Sequence, residues 1–257
     1  MQQTPTLIRY FRIARVIVHT LVGLLIAAGV LPLVNAHQRG RIIRWWCRLL
    51  LSCFNIRVTV FGTAPDDSTR QTMFVANHIS WSDIHALNSI IPVRFIAKLE
   101  IKSWPVFGYL VTKSGTLFIN RTIRKDAARI VEITTDSLIQ LENVCFFPEG
   151  TTTDGTHVLP FKTSIIQAAI DAKANIWPLT IYYPTPDGQP NLAMAYAGET
   201  SMIESMDQIL RVRHPVVELH FLAPIACAGQ TRQTVSHAAR EAILAKFKQR
   251  YRPLNQA

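Results

Sequence analysis

The first 65 residues contain no aspartate, glutamate or lysine, although they contain eight arginines. The first acidic residue is Asp66, so most of the net charge of +10 lies in the first quarter of the chain. A nucleic-acid-binding protein would present its arginines on a polar face with aromatic stacking partners. Here the arginines flank apolar runs, and this pattern favours an anionic membrane surface over nucleic acid as the partner.

The four cysteines show no paired spacing and no Cys-x-x-Cys motif. This excludes a disulfide framework and a cysteine zinc site, and it fits a reducing compartment. The chain also lacks the Gly-x-Ser-x-Gly elbow of serine hydrolases, the phosphate loop of nucleotide-binding enzymes and a His-Glu-x-x-His metal site. We therefore expect neither a metal nor a cofactor.

Residues 16–34 form a long apolar segment, interrupted only by His19 and Thr20. As a helix, this segment would be roughly 28 Å long, which is about the hydrocarbon thickness of a bilayer. Residues 39–54 follow as a short amphipathic stretch, with two adjacent tryptophans suited to the headgroup level. Arginines lie on both sides of the apolar segment, so they indicate no single orientation.

Three interpretations of this N-terminal part remain open. We favour a helical hairpin that dips into one leaflet with both ends cytoplasmic, because the arginines bracket the apolar segment evenly. A single transmembrane anchor is the second interpretation. The third is a cleavable signal peptide ending at residues 34–36, although the apolar region exceeds the ~7–15 residues typical of one. We assign residues 1–60 to a membrane-associated hairpin or anchor and residues 61–257 to a catalytic domain.

Beyond this part, short apolar runs alternate with helical patterns. This alternation predicts an α/β fold: a mixed, mainly buried sheet flanked by helices, with an N-terminal membrane-embedded helical pair. Pro178 lies inside an apolar run, so we expect that strand to be irregular or near an edge. We predict strands at residues 73–76, 93–97, 115–119, 144–148, 176–183, 192–197 and 216–222, and helices at 81–91, 163–174 and 231–251, with a further helical pattern from residue 127 to 141.

The motif HISWSD places His78 five residues before Asp83, at the end of a predicted buried strand. A histidine can remove a proton from a hydroxyl, and a nearby carboxylate can orient the ring and stabilise its charged form. A bend at the start of the following helix would bring the two side chains together. The alternative is that the two are ordinary polar residues at a helix start, where Ser80, Ser82 or Asp83 acts as a cap.

Two further motifs are weaker when taken alone. FINR ends a predicted strand at Arg121, whose guanidinium could bind a phosphate, although a surface arginine is the commoner explanation. IWPLTIYY, residues 176–183, predicts either a wall facing an acyl chain or an ordinary core strand.

The motif FPEGTTTDG, residues 147–155, breaks a buried strand at a proline and then supplies Glu149, Gly150 and Thr151. Glycine lets backbone N–H groups approach a ligand closely. Together with the threonine hydroxyls, these N–H groups could hold a phosphate or an oxyanion.

In this order, the four motifs resemble those of the glycerolipid acyltransferase family, which includes the 1-acylglycerol-3-phosphate O-acyltransferases. The resemblance covers roughly residues 60–225, and Lys98 lies where the family usually has a lysine. Two departures concern the headgroup site. Asn120 stands where the family often has an aspartate, and Thr152 and Thr153 replace its usual arginine and serine. Similar versions occur in enzymes that acylate lyso-ornithine lipids and lysophosphatidylcholine.

The resemblance implies a transfer from acyl-ACP or acyl-CoA to a lysophospholipid, at the bilayer on the cytoplasmic side of the inner membrane. It implies lysophosphatidic acid as the first choice of acceptor, and lyso-ornithine lipid as the second. A non-enzymatic membrane adaptor is the alternative from another class of protein. The site residues that it implies are catalytic His78 and Asp83, and substrate-binding Lys98, Arg121, Glu149, Gly150 and Thr151.

Overall fold

A single mixed sheet forms the centre of the fold. The structure is a computed structural model, and it describes residues 3–120 and 123–250. Along the sheet the strands follow the order β1-β7-β6-β2-β5-β3-β4, and β8 pairs with β6. The strands are β1 (Arg57–Phe61), β2 (Thr72–Ala76), β3 (Arg94–Lys98), β4 (Leu117–Ile119), β5 (Val144–Phe146), β6 (Asn175–Tyr182), β7 (Val216–Phe221) and β8 (Ile225–Ala226).

Helices cover both faces of this sheet. Short 3-10 turns at Leu31–Leu33, Leu99–Ser103 and Leu192–Met194 lie between some of the elements. The α-helices are α1 (Thr6–Gly29), α2 (Ala36–Cys53), α3 (Ser82–Ile90), α4 (Phe107–Lys113), α5 (Arg124–Ile139), α6 (Ile166–Asp171), α7 (Met202–Arg211) and α8 (Arg232–Arg250).

The sheet is mainly parallel, with antiparallel pairing where β6 meets β7 and β8. One hydrophobic core packs α1, α2, α3 and α7 on one face, and a second core packs α5, α6 and α8 on the other. Every residue of β2 is buried, because this strand lies inside the sheet with helices on both sides. The predicted mixed α/β sheet flanked by helices is therefore confirmed.

The N-terminal part of the chain contains two helices, α1 and α2, which contact each other. A capping box at Asn35 begins α2. The Asn35 side chain accepts from the N–H of Gln38, and the Gln38 side chain accepts from the N–H of Asn35. Within the described residues, Thr6–Leu33 is the helical stretch that is long and apolar enough to cross a membrane. Of the predicted membrane-embedded helical pair, only the first helix is therefore a candidate membrane helix among the described residues, because α2 is amphipathic.

A buried arginine attaches α1 to the rest of the molecule. Arg12 is 6% exposed, and its guanidinium donates to the carbonyl oxygens of Val212 at 2.9 Å and Arg213 at 2.8 Å. The N–H of Thr4 also donates to Arg211 O at 2.9 Å. These bonds satisfy a charge that would be costly to bury alone, and they hold α1 along the domain.

One predicted strand is wrong, because residues 192–197 contain a 3-10 turn at Leu192–Met194 and no strand. Pro178 was expected in a strand that is irregular or near an edge. It lies in the interior strand β6, where the strand is irregular because its pairing on one side is interrupted at this residue. Proline has no N–H to donate to a neighbouring strand, and at residue 178 none is needed. On the side of β6 that faces β7 and β8, the pairing with β8 ends at residue 176 and the pairing with β7 begins at residue 179.

Gly23 sets the distance between α1 and α2. A Cβ atom at this position would lie 2.7 Å from Nε1 of Trp46, whose ring is also stacked on His19. Gly29, in the same helix, has nothing within 4 Å of the equivalent position. We therefore expect Gly23→Ala to lower the unfolding free energy by about 1–3 kcal/mol through overpacking.

Gly29→Ala is the matched control, because it adds the same methyl group where there is space. Thermal unfolding of both variants in detergent checks the prediction. Alanine is intrinsically the better helix former by about 1 kcal/mol. A melting temperature for Gly23→Ala equal to or above that of Gly29→Ala would therefore contradict close helix packing here.

Candidate active site

The first and third motifs meet at the carboxyl edge of the sheet. Strands β2 and β5 are parallel neighbours, with Val75 paired to Phe146, so the chain that follows each strand emerges at the same edge. The N–H of Thr153 donates to His78 O at 2.8 Å, and this bond ties the two loops together. Asn77 anchors the first loop to β6 by bonding both the N–H and the C=O of Ile181, at 2.8 Å and 3.0 Å.

The structure brings the predicted catalytic pair into direct contact. Nδ1 of His78 lies 2.8 Å from Oδ2 of Asp83. A carboxylate oxygen only accepts, so this hydrogen bond requires the hydrogen on Nδ1 and leaves Nε2 as the acceptor nitrogen. His78 is 18% exposed whereas Asp83 is fully buried, so the imidazole alone is accessible to a substrate.

Backbone and side-chain donors surround the Asp83 carboxylate. Oδ2 also accepts from the N–H groups of Ile79 at 2.8 Å and Ser80 at 3.0 Å, which lie just before α3. Oδ1 accepts from the hydroxyl of Tyr183 at 2.5 Å. Burial raises the pKa of Tyr183 well above its usual value, so the phenol keeps its hydrogen and remains a donor. Asp83 thus bonds the His78 ring, as the catalytic interpretation of the motif expects, whereas the capping interpretation is not met, because α3 begins after Trp81 without a side-chain cap hydrogen bond.

Aromatic packing fixes the plane of the His78 ring. The ring of Phe147 is stacked on it, with centroids 3.9 Å apart and an angle of 7° between planes. Phe95 in turn stacks on Phe147, with ring centroids 5.9 Å apart. These contacts restrict rotation of the imidazole and leave its position defined by the aspartate and by the sheet.

Glu149 is buried and acts within the protein. Oε1 accepts from the backbone N–H of His78 at 2.8 Å, and Oε2 accepts from the N–H of Leu159 at 2.7 Å. The family resemblance implied that Glu149 binds the substrate, whereas its described hydrogen-bond partners are backbone N–H groups. Burial raises the pKa of Glu149 to about 7, and the two N–H donors oppose that rise.

The other residues of the third motif form a tight turn beside His78. Gly150 has a φ of 76°, a conformation that favours glycine, and its N–H donates to Phe147 O at 3.1 Å. Gly150, Thr151 and Thr152 line the same cavity as His78, and the Thr152 hydroxyl donates to Tyr196 O.

The remaining predicted substrate-binding residues are two cations. Lys98 is exposed at the end of β3 and lines the cavity with His78. Arg121 lies outside the described residues, so its role stays a prediction.

A cavity of about 530 Å³ extends from His78 to the N-terminal helices. Its walls are mainly apolar and come from α1, α2, α3, α4 and the strand β3. This volume lies in the range of small-molecule sites, about 300–1,000 Å³. The wall residues include Val16, Ile26, Leu31, Ile43, Leu50, Trp81, Phe95, Trp104, Phe107, Leu110 and Met206.

A second histidine, His85, lines this cavity in neutral form. Burial is the main cause that lowers the pKa of His85 to about 4, and its Nδ1 lies 3.6 Å from Sγ of Cys47. Within the described ranges, no cluster of three or more histidine, cysteine, aspartate or glutamate side chains could hold a metal ion.

Sequence reasoning missed the roles of Tyr183 and Phe147. Both lie inside quoted motifs, but neither the fourth motif's tyrosine nor the third motif's phenylalanine carried a signal of contact with the catalytic pair. Residues 176–183 are described throughout and do not line the cavity, so the core-strand interpretation of the fourth motif fits better than the acyl wall.

Comparison with known proteins identifies the class. A family model described as Acyltransferase matches residues 57–182. A lyso-ornithine lipid O-acyltransferase of Pseudomonas aeruginosa is 34% identical over 217 residues, which are 84% of this chain and 80% of that protein. A 1-acyl-sn-glycerol-3-phosphate acyltransferase of Neisseria meningitidis is 33% identical, over 81% of each chain. This chain belongs to the acyltransferase family, as its motifs predicted, and it is an enzyme of that class.

A solved structure shows the same fold. The crystal structure of the 1-acyl-sn-glycerophosphate acyltransferase from Thermotoga maritima matches with a TM-score of 0.62. It is 20% identical, and the match covers 94% of this chain and 99% of that one.

The raised pKa of Glu149 predicts a pH-dependent stability. Since the carboxyl ionises at about 4.5 in the unfolded chain and at about 7 in the folded one, the folded state favours the proton. The unfolding free energy should therefore fall as pH rises from about 4.5 to 7, by up to roughly 3 kcal/mol, and then level off. In Glu149→Gln this component should be absent, because the amide does not titrate.

Denaturant unfolding at several pH values compares the two proteins. The variant should also be less stable at low pH by about 1–3 kcal/mol, because its NH₂ group faces a backbone N–H. An unchanged difference between wild type and variant from pH 4.5 to 7 would contradict the account of Glu149.

Proposed function

We propose that the protein moves a fatty acyl group from an acyl-ACP or acyl-CoA thioester to the free hydroxyl of a lysophospholipid. The observation that carries this proposal is the His78–Asp83 pair, joined at 2.8 Å at a mainly apolar cavity. The pair supplies a base that can take the proton of a hydroxyl, and the mainly apolar cavity offers a site for an acyl chain. Burial of that chain contributes about 0.8 kcal/mol per CH₂ group.

In the proposed reaction, Nε2 of His78 takes the proton of the acceptor hydroxyl. The hydroxyl oxygen attacks the thioester carbonyl, and a C–O bond forms as the carbonyl becomes a tetrahedral oxyanion. When the oxyanion collapses, the C–S bond breaks, and the proton on Nε2 passes to the departing thiolate. Asp83 holds the ring in position and stabilises its transient positive charge.

The oxyanion needs backbone donors near His78. The N–H of Gly150 donates to Phe147 O at 3.1 Å, so it is less suited to this role than the sequence suggested. The N–H groups of Thr151 and Thr152 make no hydrogen bond within the described ranges, and both residues line the cavity. We propose these two N–H groups as the oxyanion donors, with the φ of 76° at Gly150 setting the turn that presents them.

The acceptor headgroup would contact Lys98, Arg121 and the Thr151 hydroxyl. Glu149 would act as a positioning residue, because its carboxylate is bonded to the backbone N–H groups of His78 and Leu159. Lysophosphatidic acid is the first candidate acceptor, since a lysine and an arginine suit a phosphate.

Lyso-ornithine lipid is the second candidate. Thr152 and Thr153 stand where the family usually has an arginine and a serine, which weakens the case for a phosphate. The similarity to the Pseudomonas aeruginosa protein supports this candidate as well.

We also propose that the enzyme is monotopic, on the cytoplasmic side of the inner membrane. Residues 1–60 would attach the acyltransferase domain, residues 61–257, to one leaflet. One side of α1 is buried on the protein, where Arg12 is hydrogen-bonded. The other side exposes large apolar residues, and a helix held along the domain in this way suits insertion into one leaflet better than a free span. These exposed residues are Leu7, Tyr10, Phe11, Ile17, Val18, Leu21 and Leu25.

Acyl transfer by the detergent-purified enzyme tests this function. A labelled acyl thioester, as ACP or CoA, is offered with lysophosphatidic acid, lyso-ornithine lipid and lysophosphatidylcholine in separate reactions. We expect one acceptor to be consumed and His78→Ala to lower turnover by at least about a hundredfold, because the variant lacks the base.

His237→Ala is the matched control, since His237 is an exposed histidine on α8 outside the cavity. It should transfer acyl groups at the wild-type rate. Turnover of His78→Ala close to that of the control would exclude His78 as the base. Hydrolysis of the thioester donor in the absence of any lysolipid would contradict the proposed acyl transfer and would indicate a hydrolase activity.

A further inference from the structure

The chain between β3 and β4 contains an exposed apolar surface that the proposed reaction does not use. We call residues 98–113 the crossover segment; it comprises the 3-10 turn Leu99–Ser103 and helix α4 (Phe107–Lys113). One side of it lines the cavity through Ile101, Trp104, Phe107 and Leu110. The segment also exposes Leu99, Val106 and Tyr109, at 39%, 42% and 41%, and none of these three lines the cavity.

Val106 is held at the apex of this segment by a strained turn. Its φ of 64° and ψ of −58° lie in a region that β-branched residues rarely adopt. The N–H of Phe107 donates to Pro105 O at 2.6 Å, which closes a three-residue γ-turn around Val106. Strained turns of this kind are found mainly where function requires a particular side-chain position.

A glycine after the apex holds the turn against the rest of the segment. A Cβ atom at Gly108 would lie 2.2 Å from the carbonyl oxygen of Lys102, so no other residue fits without moving the backbone. The N–H of Gly108 donates to Trp104 O at 2.8 Å. The exposure of Val106 is therefore specified by the local backbone.

The charge and aromatic content of the segment suit a membrane interface. It contains three lysines and one glutamate, which give a net charge of +2. Nζ of Lys113 lies 5.6 Å from the ring centroid of Tyr109. Exposed apolar side chains beside lysines and an aromatic ring are typical of surfaces that bind anionic lipid headgroups.

The segment lies next to α1, because α4 contacts α1 directly, and both elements expose large apolar side chains. Soluble proteins rarely expose large apolar patches, and those that occur often mark interaction sites. A lipid bilayer could cover both elements together, whereas a small ligand could not.

We propose that the crossover segment docks on an anionic lipid bilayer, with the side chain of Val106 inserted and Lys102 and Lys113 near the headgroups. This inference rests on the proposed function, since it extends the membrane surface assigned there to α1. The same segment forms a cavity wall, so docking would bring the cavity next to the bilayer from which its lipid substrate comes.

A fluorescent label tests the insertion of Val106 directly. The native cysteines are all buried, so a dye that reports polarity will react with Val106→Cys. Leu141→Cys is the matched control, because Leu141 is 53% exposed and also has a positive φ, of 61°. It lies just before the amino end of β5, whereas the crossover segment follows the carboxyl end of β3.

With vesicles of phosphatidylcholine and phosphatidylglycerol, we expect the emission of the dye at position 106 to shift to the blue, and the control to stay unchanged. Equal responses at the two positions, or a larger one at 141, would overturn the proposal.

Charge substitutions at the same positions give a second, independent measurement. Val106→Asp should weaken sedimentation with these vesicles roughly tenfold or more, because an apolar contact is lost and a carboxylate faces the lipid. Leu141→Asp should sediment as the wild type does. Lys102→Gln and Lys113→Gln should each weaken binding to the anionic vesicles about fivefold and should leave binding to pure phosphatidylcholine unchanged.

Acyl transfer by the wild type, measured in parallel in detergent, separates the two proposals. If the wild type transfers acyl groups but Val106→Asp sediments with the vesicles to the same extent as Leu141→Asp, docking by this segment is wrong and the acyltransferase assignment stands. If the label at position 106 responds but no acyl transfer occurs, the docking surface stands and the proposed substrates are wrong.

Discussion

The buried carboxylate of Asp83 is the constraint on which the rest of the site depends. Removing a carboxylate from water costs several kcal/mol unless hydrogen bonds compensate it. Here the compensation comes from two separate parts of the chain: residues 78–80, which supply the His78 ring and two backbone N–H groups just before α3, and Tyr183 after β6. The chain must therefore bring β2, α3 and β6 together accurately, and the orientation of the imidazole follows from that assembly.

The sheet order explains how motifs far apart in sequence converge. Strand β2 lies between β5 and β6, so the loop that carries His78 is flanked by the third motif on one side and the fourth on the other. Glu149 links the loops from within, because its carboxylate accepts from the N–H of His78. Residues of these three motifs thus form hydrogen bonds with one another. This explains why the motifs together predict the function better than any one of them alone.

Much of this arrangement could be predicted from the sequence, since it follows from short-range patterns. Apolar runs of four to eight residues revealed most strands, and the five-residue spacing was enough to expect contact between His78 and Asp83 across a helix start. Contacts that depend on tertiary structure could not be predicted. Tyr183 is 100 residues away from its partner, and the sequence does not indicate that Pro178 falls where β6 changes partners.

The direction of a side chain was equally inaccessible to sequence reasoning. The family resemblance implied that Glu149 binds the substrate, whereas in the fold its carboxylate is directed at backbone N–H groups. Residues 192–197 have the apolar character of a strand, yet they contain a 3-10 turn, and the N–H of Tyr196 bonds to Ile79 O beside the site.

The central claim is that Asp83 keeps the hydrogen of neutral His78 on Nδ1, so that Nε2 is free to accept a proton. NMR of protein labelled with ¹⁵N-histidine measures this directly, and the spectrum of His78→Gln identifies the His78 signals among the eight histidines. The account predicts a protonated Nδ1 and a bare Nε2 in the wild type, and loss of this preference in Asp83→Asn. A wild-type imidazole with its hydrogen on Nε2 would contradict it.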